Sequence, residues 1–244
     1  METSKKNNVM KSQTETGFGA RLQKARELAN YISNFDGFNP PKPTDQADAF
    51  TAFVTELENA NASVFQNSEN YRMSVSLRQN QFTKGPTSLL KLASEIRSAV
   101  IAVYGKKSKE VDLVNEIIRK IRGTKLMSVP KDPNSTDAAK KVSQSEQSYG
   151  SMTQHFQALV VTISEYTDYS SSKPELTIAG LQQRLLDAKT TNSSVSEKSL
   201  ALSLARKNRR LLYEDLEKRR ERIRNYVLSV YGKDSKEYGF MKKV

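Results

Sequence analysis

The chain has no cysteine, no tryptophan and one histidine, His155. The first absence excludes disulfides, thiolate metal sites and cysteine nucleophiles. The scarcity of histidine excludes any centre built on several imidazoles and leaves at most one for acid–base work. Long apolar runs are also missing. Nothing approaches the ~20 residues of a bilayer-spanning helix, and residues 1–20 hold no apolar run of signal-peptide length. These features predict an intracellular, cytoplasmic protein. Strand-like alternation of useful length is absent too, so the fold class expected is all-α.

What remains is polar and basic. Among 244 residues, 39 are Lys or Arg and 27 are Asp or Glu, for a formal charge of +12. Hydrophobic residues make up 36%, enough for one large core or two small ones. The charge favours polyanionic partners, whether nucleic acid, an anionic membrane surface or an acidic protein, without choosing among them.

One phrase occurs twice. Ile96, Arg97, Val100, Val103, Tyr104, Gly105, Lys106, Ser108, Lys109 and Glu110 align without gaps with Ile223, Arg224, Val227, Val230, Tyr231, Gly232, Lys233, Ser235, Lys236 and Glu237. Upstream, at an offset changed by about one helical turn, Lys42-Pro43 aligns with Lys173-Pro174, Asn61 with Asn192, Arg78 with Arg209, and Phe82 with Tyr213. Phe18, Phe35 and Phe38 align with Tyr149, Tyr166 and Tyr169. The offset changes near FTKGPTS, where only the first copy has Gly85-Pro86. The pattern reads as a duplicated unit of about 100 residues, a usual domain size. The organisation expected is a disordered basic tail at 1–15, repeat one at 16–122, a linker at 123–142 and repeat two at 143–244. Each repeat is expected to be a four-helix bundle, the pair arranged with pseudo-twofold symmetry.

Within each repeat the first helix is expected at 18–34 and 146–166. A second is expected to end near Asn61 and Asn192. "SVFQ" at 63–66 and "SVSE" at 194–197 fit the capping box that would start a third. The fourth carries Leu89, Leu92, Ile96, Ala99 and Val103 in repeat one, and Leu212, Leu216, Ile223, Tyr226 and Val230 in repeat two. Gly105 and Gly232 suit a left-handed helix stop, and Ser108 and Ser235 suit the cap of the next helix. The repeated phrase thus reads as a helix stop and restart. Its alternative reading is an anion nest of free N–H groups and lysines.

The second repeat contains Lys173-Pro174, Leu176-Thr177, Asn192, Val195, Ala205-Arg206, Arg209 and the ending Val230 to Tyr238. This pattern resembles a group of uncharacterised bacterial helical proteins with a Val-Tyr-Gly-x-x-Ser-x-x-Tyr type ending. The resemblance implies a helical fold and brings no activity or ligand with it.

No catalytic constellation is visible. His155 lies beside the helical stripe position Phe156, with no nucleophile or orienting acid in sight. "GFGA" at 17–20 follows no strand and is too short for a dinucleotide fingerprint. No metal or cofactor is expected and no small-molecule substrate is inferred. The notable chemistry is the basic run Arg206, Lys207, Arg209, Arg210, Lys218, Arg219, Arg220, Arg222 and Arg224. It reads either as a phosphate-binding helical face or as a solvated face laced with ion pairs to the interleaved Glu214, Asp215, Glu217 and Glu221. Arg78 and Arg209 recur and are expected to bridge to a carboxylate or a helix end. Arg219 stands where repeat one has Leu92, so either its stem packs while its head escapes to water or that face meets a partner. The function expected is a non-enzymatic structural or interaction protein that bridges partners or self-assembles. The alternative is a nucleic-acid-binding protein using Arg206, Lys207, Arg210, Lys218, Arg219, Arg220 and Arg222.

Overall fold

A computed structural model describes residues 13–123 and 148–244. The linker beyond Gly123 and the tail before Gln13 lie outside the described residues. Among the described residues the regular structure is entirely helical. The helices are α1 (Gln13–Ile32), α2 (Ala47–Gln79), α3 (Leu89–Tyr104), α4 (Lys109–Arg122), α5 (Tyr149–Ser164), α6 (Ile178–Tyr231) and α7 (Lys236–Met241). Short 3-10 turns at Pro43–Asp45 and Pro174–Leu176 precede α2 and α6, each with proline in its first turn. There the missing proline N–H costs nothing. Residues 13–15, expected in the tail, belong to α1.

The expected breaks at Asn61 and Asn192 do not occur. α2 and α6 run straight through both capping-box motifs. The reason lies in what these stretches lack: α2 contains neither glycine nor proline, and α6 has only Gly180, in its first turn. A Ser-x-x-Gln sequence caps a helix only where the backbone has already left helical geometry. Nothing here makes it leave.

The break that does occur is at the change of offset. Repeat one passes through a π-helical turn at Asn80–Lys84, and the chain re-enters helix at Leu89. Gly85 ends that turn with its N–H on the Asn80 carbonyl at 2.9 Å. A Cβ at Gly85 would stand 2.5 Å from the same oxygen. Repeat two lacks this extra turn of chain, and α6 continues unbroken.

This continuity decides how the chain packs. The described residues form two compact units: 13–69 with 200–244, and 70–123 with 148–199. At about 1.5 Å per residue a 54-residue helix is far longer than a small domain is wide, so α6 serves two cores. In the first unit, Leu28 and Ile32 of α1 and Phe50, Phe53 and Leu57 of α2 pack with Tyr213, Leu216, Ile223 and Val227 of α6 and with Tyr238 of α7. In the second, Phe82, Leu89, Leu92, Ile96 and Val100 pack with α4, with Phe156, Leu159 and Ile163 of α5, and with Leu181 and Ala188 of α6. Each core mixes side chains from both sequence repeats. Packing thus joins residues of both expected segments, 16–122 and 143–244, in each unit. The buried seams depart from the expected ones near the helix ends: Val100 and Val227 are fully buried, whereas Val103 and Val230 are 42% and 55% exposed.

Both copies of the repeated phrase close a helix. Gly105 has φ 82° and ψ 153°, and Gly232 has φ 85°. The Gly105 geometry is not the left-handed helical one expected but an extended positive-φ region that is essentially closed to other residues. Ser108 Oγ then accepts from the Val111 N–H at 3.2 Å, and Ser235 Oγ from the Tyr238 N–H at 3.0 Å.

Cleavage at a protease site placed within residues 124–147 should leave the two pieces co-eluting on native size exclusion, because each unit needs both; separation of the pieces would refute the mixed cores. Gly105→Ala should lower the unfolding free energy by about 1–3 kcal/mol in urea titration. Gly19→Ala, on helical α1 with open space around it, should instead stabilise by roughly 0.5–1 kcal/mol.

Candidate interaction surface

The basic run lies on the C-terminal part of α6, within the first unit. Its members divide into two groups. Arg219, Arg220 and Arg222 are partly buried and engaged within the fold. Arg222 grips Asp45 with two bonds, Nε to Oδ2 at 2.5 Å and Nη2 to Oδ1 at 2.7 Å. Asp45 is 2% exposed, so this ion pair pins the turn before α2 to α6. Burial alone would raise the Asp45 pKa. The hydrogen bond and charge of Arg222, helped by Thr44 and Lys42, outweigh it, and the carboxyl titrates below its usual value.

Arg219 neither escapes to water nor waits for a partner. Its guanidinium carbon sits 3.9 Å from the centroid of the Phe53 ring. Its Nε donates to Asp215 at 2.8 Å and its Nη1 to the Thr44 carbonyl at 2.6 Å. A cation over an aromatic face with its N–H groups satisfied can be half-buried without a large penalty. Arg220 donates to Glu217 at 2.9 Å and to the main-chain oxygen of Val244. Glu217 also receives Arg21 of α1 at 2.9 Å.

Arg206, Lys207 and Lys218 are exposed and have no ion pair among the described residues. Arg210 is exposed and only loosely paired, to Glu214 at 3.7 Å. On the same stretch of helix stand three outward leucines, Leu200, Leu204 and Leu211, 61%, 57% and 49% exposed. Sequence reasoning missed them because it looked for charge. Their spacing of four and seven residues was the available signal. α2 also presents Phe65 at 69% exposure in the first unit, and Met73 and Leu77 at 59% each in the second.

The recurring arginines do the same thing in each unit: each lies flat on an aromatic ring, where a bridge to a carboxylate or a helix end is expected from sequence. Arg209 lies over the Phe18 ring at 4.1 Å and Arg78 over the Tyr149 ring at 4.2 Å. Beside them, Tyr213 meets Phe18 edge-on at 4.7 Å and Phe82 meets Tyr149 edge-on at 4.8 Å. Asn192 accepts from Arg78 Nη1 at 3.2 Å. Asn61 donates to the Tyr213 hydroxyl at 2.8 Å, and that hydroxyl donates to the Phe18 carbonyl at 3.0 Å. Burial raises the Tyr213 pKa above its ordinary value. The Nε of each arginine is buried without a hydrogen-bond partner, and the aromatic face beneath is what offsets that loss.

Tyr104 packs on Tyr166 at 5.4 Å and its hydroxyl accepts from the Asp168 N–H at 3.2 Å. Tyr231 packs near Phe35 at 5.8 Å and its hydroxyl donates to the Asp36 carbonyl at 2.8 Å. Gly105 and Gly232 follow these tyrosines as helix ends.

Other places offer little chemistry. A shallow cleft of about 450 Å³ is lined by Arg26, Glu27, Asn30, Ser33 and Thr51, and its arginine is held by Glu58 at 2.7 Å. No cluster of three metal-ligating side chains occurs among the described residues, and no described helix is long and apolar enough to cross a membrane. His155 is half-buried on α5.

Asp45→Asn tests the grip on the turn. Removing one partner of a buried pair costs about 3–5 kcal/mol; discounted for the partly exposed Arg222, about 2 kcal/mol is expected at neutral pH. Because the folded Asp45 pKa is lowered, its contribution is present above the unfolded value and lost as pH falls through the folded one. The gap between wild type and variant in urea titrations should therefore close below about pH 4. A gap independent of pH would rule out the ion pair as its source.

The chain matches no protein-family model, no curated protein and no solved structure.

Proposed function

We propose that this is a non-enzymatic interaction protein, built by duplication of a helical module, whose long helices α2 and α6 present partner-binding side chains. The observation that carries this reading is the set of outward apolar residues on those helices, Phe65, Met73 and Leu77 on one and Leu200, Leu204 and Leu211 on the other. Single exposed leucines are ordinary on a protein surface. Three leucines in register along one helical stripe are the pattern by which a helix receives another helix. Supporting the duplication, the Arg-on-aromatic contact and the adjoining edge-on ring pair recur with nearly the same distances at aligned positions.

A second reading, nucleic-acid binding, draws on exposed Arg206, Lys207, Arg210 and Lys218. Against it, Arg219, Arg220 and Arg222 are already committed within the fold, which leaves few cations to displace counterions from a phosphate backbone.

Photo-crosslinkers placed at Phe65, Met73 and Leu204 in the native host should each give discrete protein adducts, while one at the exposed polar Asn225 should give none. Phe65→Ser and Leu204→Ser should leave stability within about 0.5 kcal/mol of wild type. Absence of discrete adducts at all three positions would overturn the interaction reading. A mobility shift with mixed DNA and RNA that is strong at low salt, persists near physiological salt and is lost in a Lys207→Glu/Arg210→Glu/Lys218→Glu variant would favour the second.

A further inference from the structure

Each unit is a pairing of one repeat with the other, so aligned surfaces meet twice in one molecule. Contacts built from the same residue types in both units would serve any pairing. The aromatic seats are of this kind: Arg209 on Phe18 and Arg78 on Tyr149 use the same chemistry. Two copies of a single repeat would keep them. Only contacts that differ between the units can tell the repeats apart.

The tethers of the 3-10 turns differ. In the first unit the turn before α2 offers a buried acid, Asp45, and α6 offers Arg219 and Arg222. In the second, Leu176 aligns with Asp45 and Leu92 with Arg219, and both leucines are buried in the same core. Glu95 aligns with Arg222 and holds Lys173 at 2.6 Å. Two repeat-one segments paired in the same geometry would set Asp45 against Leu92 and Glu95. Lys42 could take Glu95, as Lys173 does at the aligned position, but Asp45 would be a buried carboxylate with no arginine. Leaving one member of a buried pair unmatched is strongly destabilising. Two repeat-two segments would set Arg219 and Arg222 against Leu176 and Lys173. Arg184 would stand in place of Phe53, the ring under Arg219. Glu175 and Asp215 would be left to balance Lys173, Arg184, Arg219 and Arg222.

We infer that the two tethers are a pairing code: the turn and helix surfaces of repeat one accept repeat two and reject a second repeat one, and those of repeat two reject another repeat two. The inference draws on the mixed cores and does not depend on the interaction reading above. Duplication creates the need for such a code. Tandem copies of one module are prone to pair wrongly between chains, and repeat one is synthesised before its proper partner. Specificity is a difference between the right pairing and the wrong one, and a buried charge left without its partner supplies that difference.

The test uses the full-length chain carrying a protease site within residues 124–147. The folded chain is cut, unfolded in urea and refolded by dilution with both pieces present. Native mass spectrometry then compares the mixed species with the two self-paired ones. The mixed species should exceed each self-paired species at least about tenfold. Asp45→Leu takes the rejected acid out of repeat one and gives it the residue type of Leu176, so self-paired repeat one should rise at least about tenfold over wild type. Arg222→Leu breaks the same ion pair but leaves Asp45 in place, and should not raise self-paired repeat one. Leu176→Asp supplies an acid for Arg219 and Arg222 and should raise self-paired repeat two. The wild-type arm decides by itself where a variant does not refold. Comparable amounts of all three species from the wild-type chain would overturn the proposal. So would equal self-pairing of repeat one in Asp45→Leu and Arg222→Leu, which would make the tether a source of stability alone. Self-pairing unchanged in both Asp45→Leu and Leu176→Asp would overturn it as well.

Discussion

Everything in this fold depends on two stretches of backbone that have no reason to stop being helical. α2 contains no glycine or proline, and α6 has a single glycine in its first turn. α6 cannot turn back to close a bundle with its own immediate neighbours, so the apolar side chains at its two ends are buried in different cores. Tertiary packing rather than intrinsic propensity stabilises most helices, and here both ends of α6 receive that packing. In repeat one an extra turn of chain, a π-helical turn and Gly85 divide the corresponding helix into α2 and α3. The division relocates a connection and leaves the buried seam of Leu89, Leu92, Ile96 and Val100 in place.

Arginine does three distinct jobs along α6. Arg209 lies flat on an aromatic ring, as Arg78 does at the aligned position. Arg219 and Arg222 hold the 3-10 turn before α2, one through a carbonyl and the other through a buried carboxylate. Arg222 aligns with Glu95, which holds Lys173 at the corresponding turn before α6 at 2.6 Å. The tether is common to both units and its polarity is reversed. Arg206, Lys207 and Lys218 have no such duty. A charge count would rank all of these residues together, yet planar guanidinium chemistry explains why the structural posts are arginines and leaves the exposed ones to account for the basic surface.

The helical class, the repeated helix stop and the serine caps could be read from the sequence because each is local. Glycine after the last apolar position and serine three residues before a free N–H leave signatures in consecutive residues. The capping boxes at Ser63 and Ser194 failed for the same reason: the motif is local, but whether it caps depends on the backbone leaving the helix. The aromatic seats of Arg78 and Arg209 were within view. Phe18 and Tyr149 had been aligned with each other, and so had the two arginines, but each arginine sits on the aromatic of the opposite repeat. That crossing is set by helix continuity over many residues, which no short motif records. The outward leucines were hidden by a different habit, since an apolar residue in a helix is read as core until its face is known.

The mixed cores give the molecule an order of assembly during synthesis. The second unit can complete once α6 has passed Ser199. The first unit cannot: Phe50, Phe53 and Leu57 of α2 need Leu216, Ile223, Val227 and Tyr238 to cover them. Domains usually mature from the N-terminus as the ribosome delivers them. In this chain Phe50, Phe53 and Leu57 are made well before the residues that cover them, so the apolar faces of α1 and α2 stay open to water until α6 and α7 have followed.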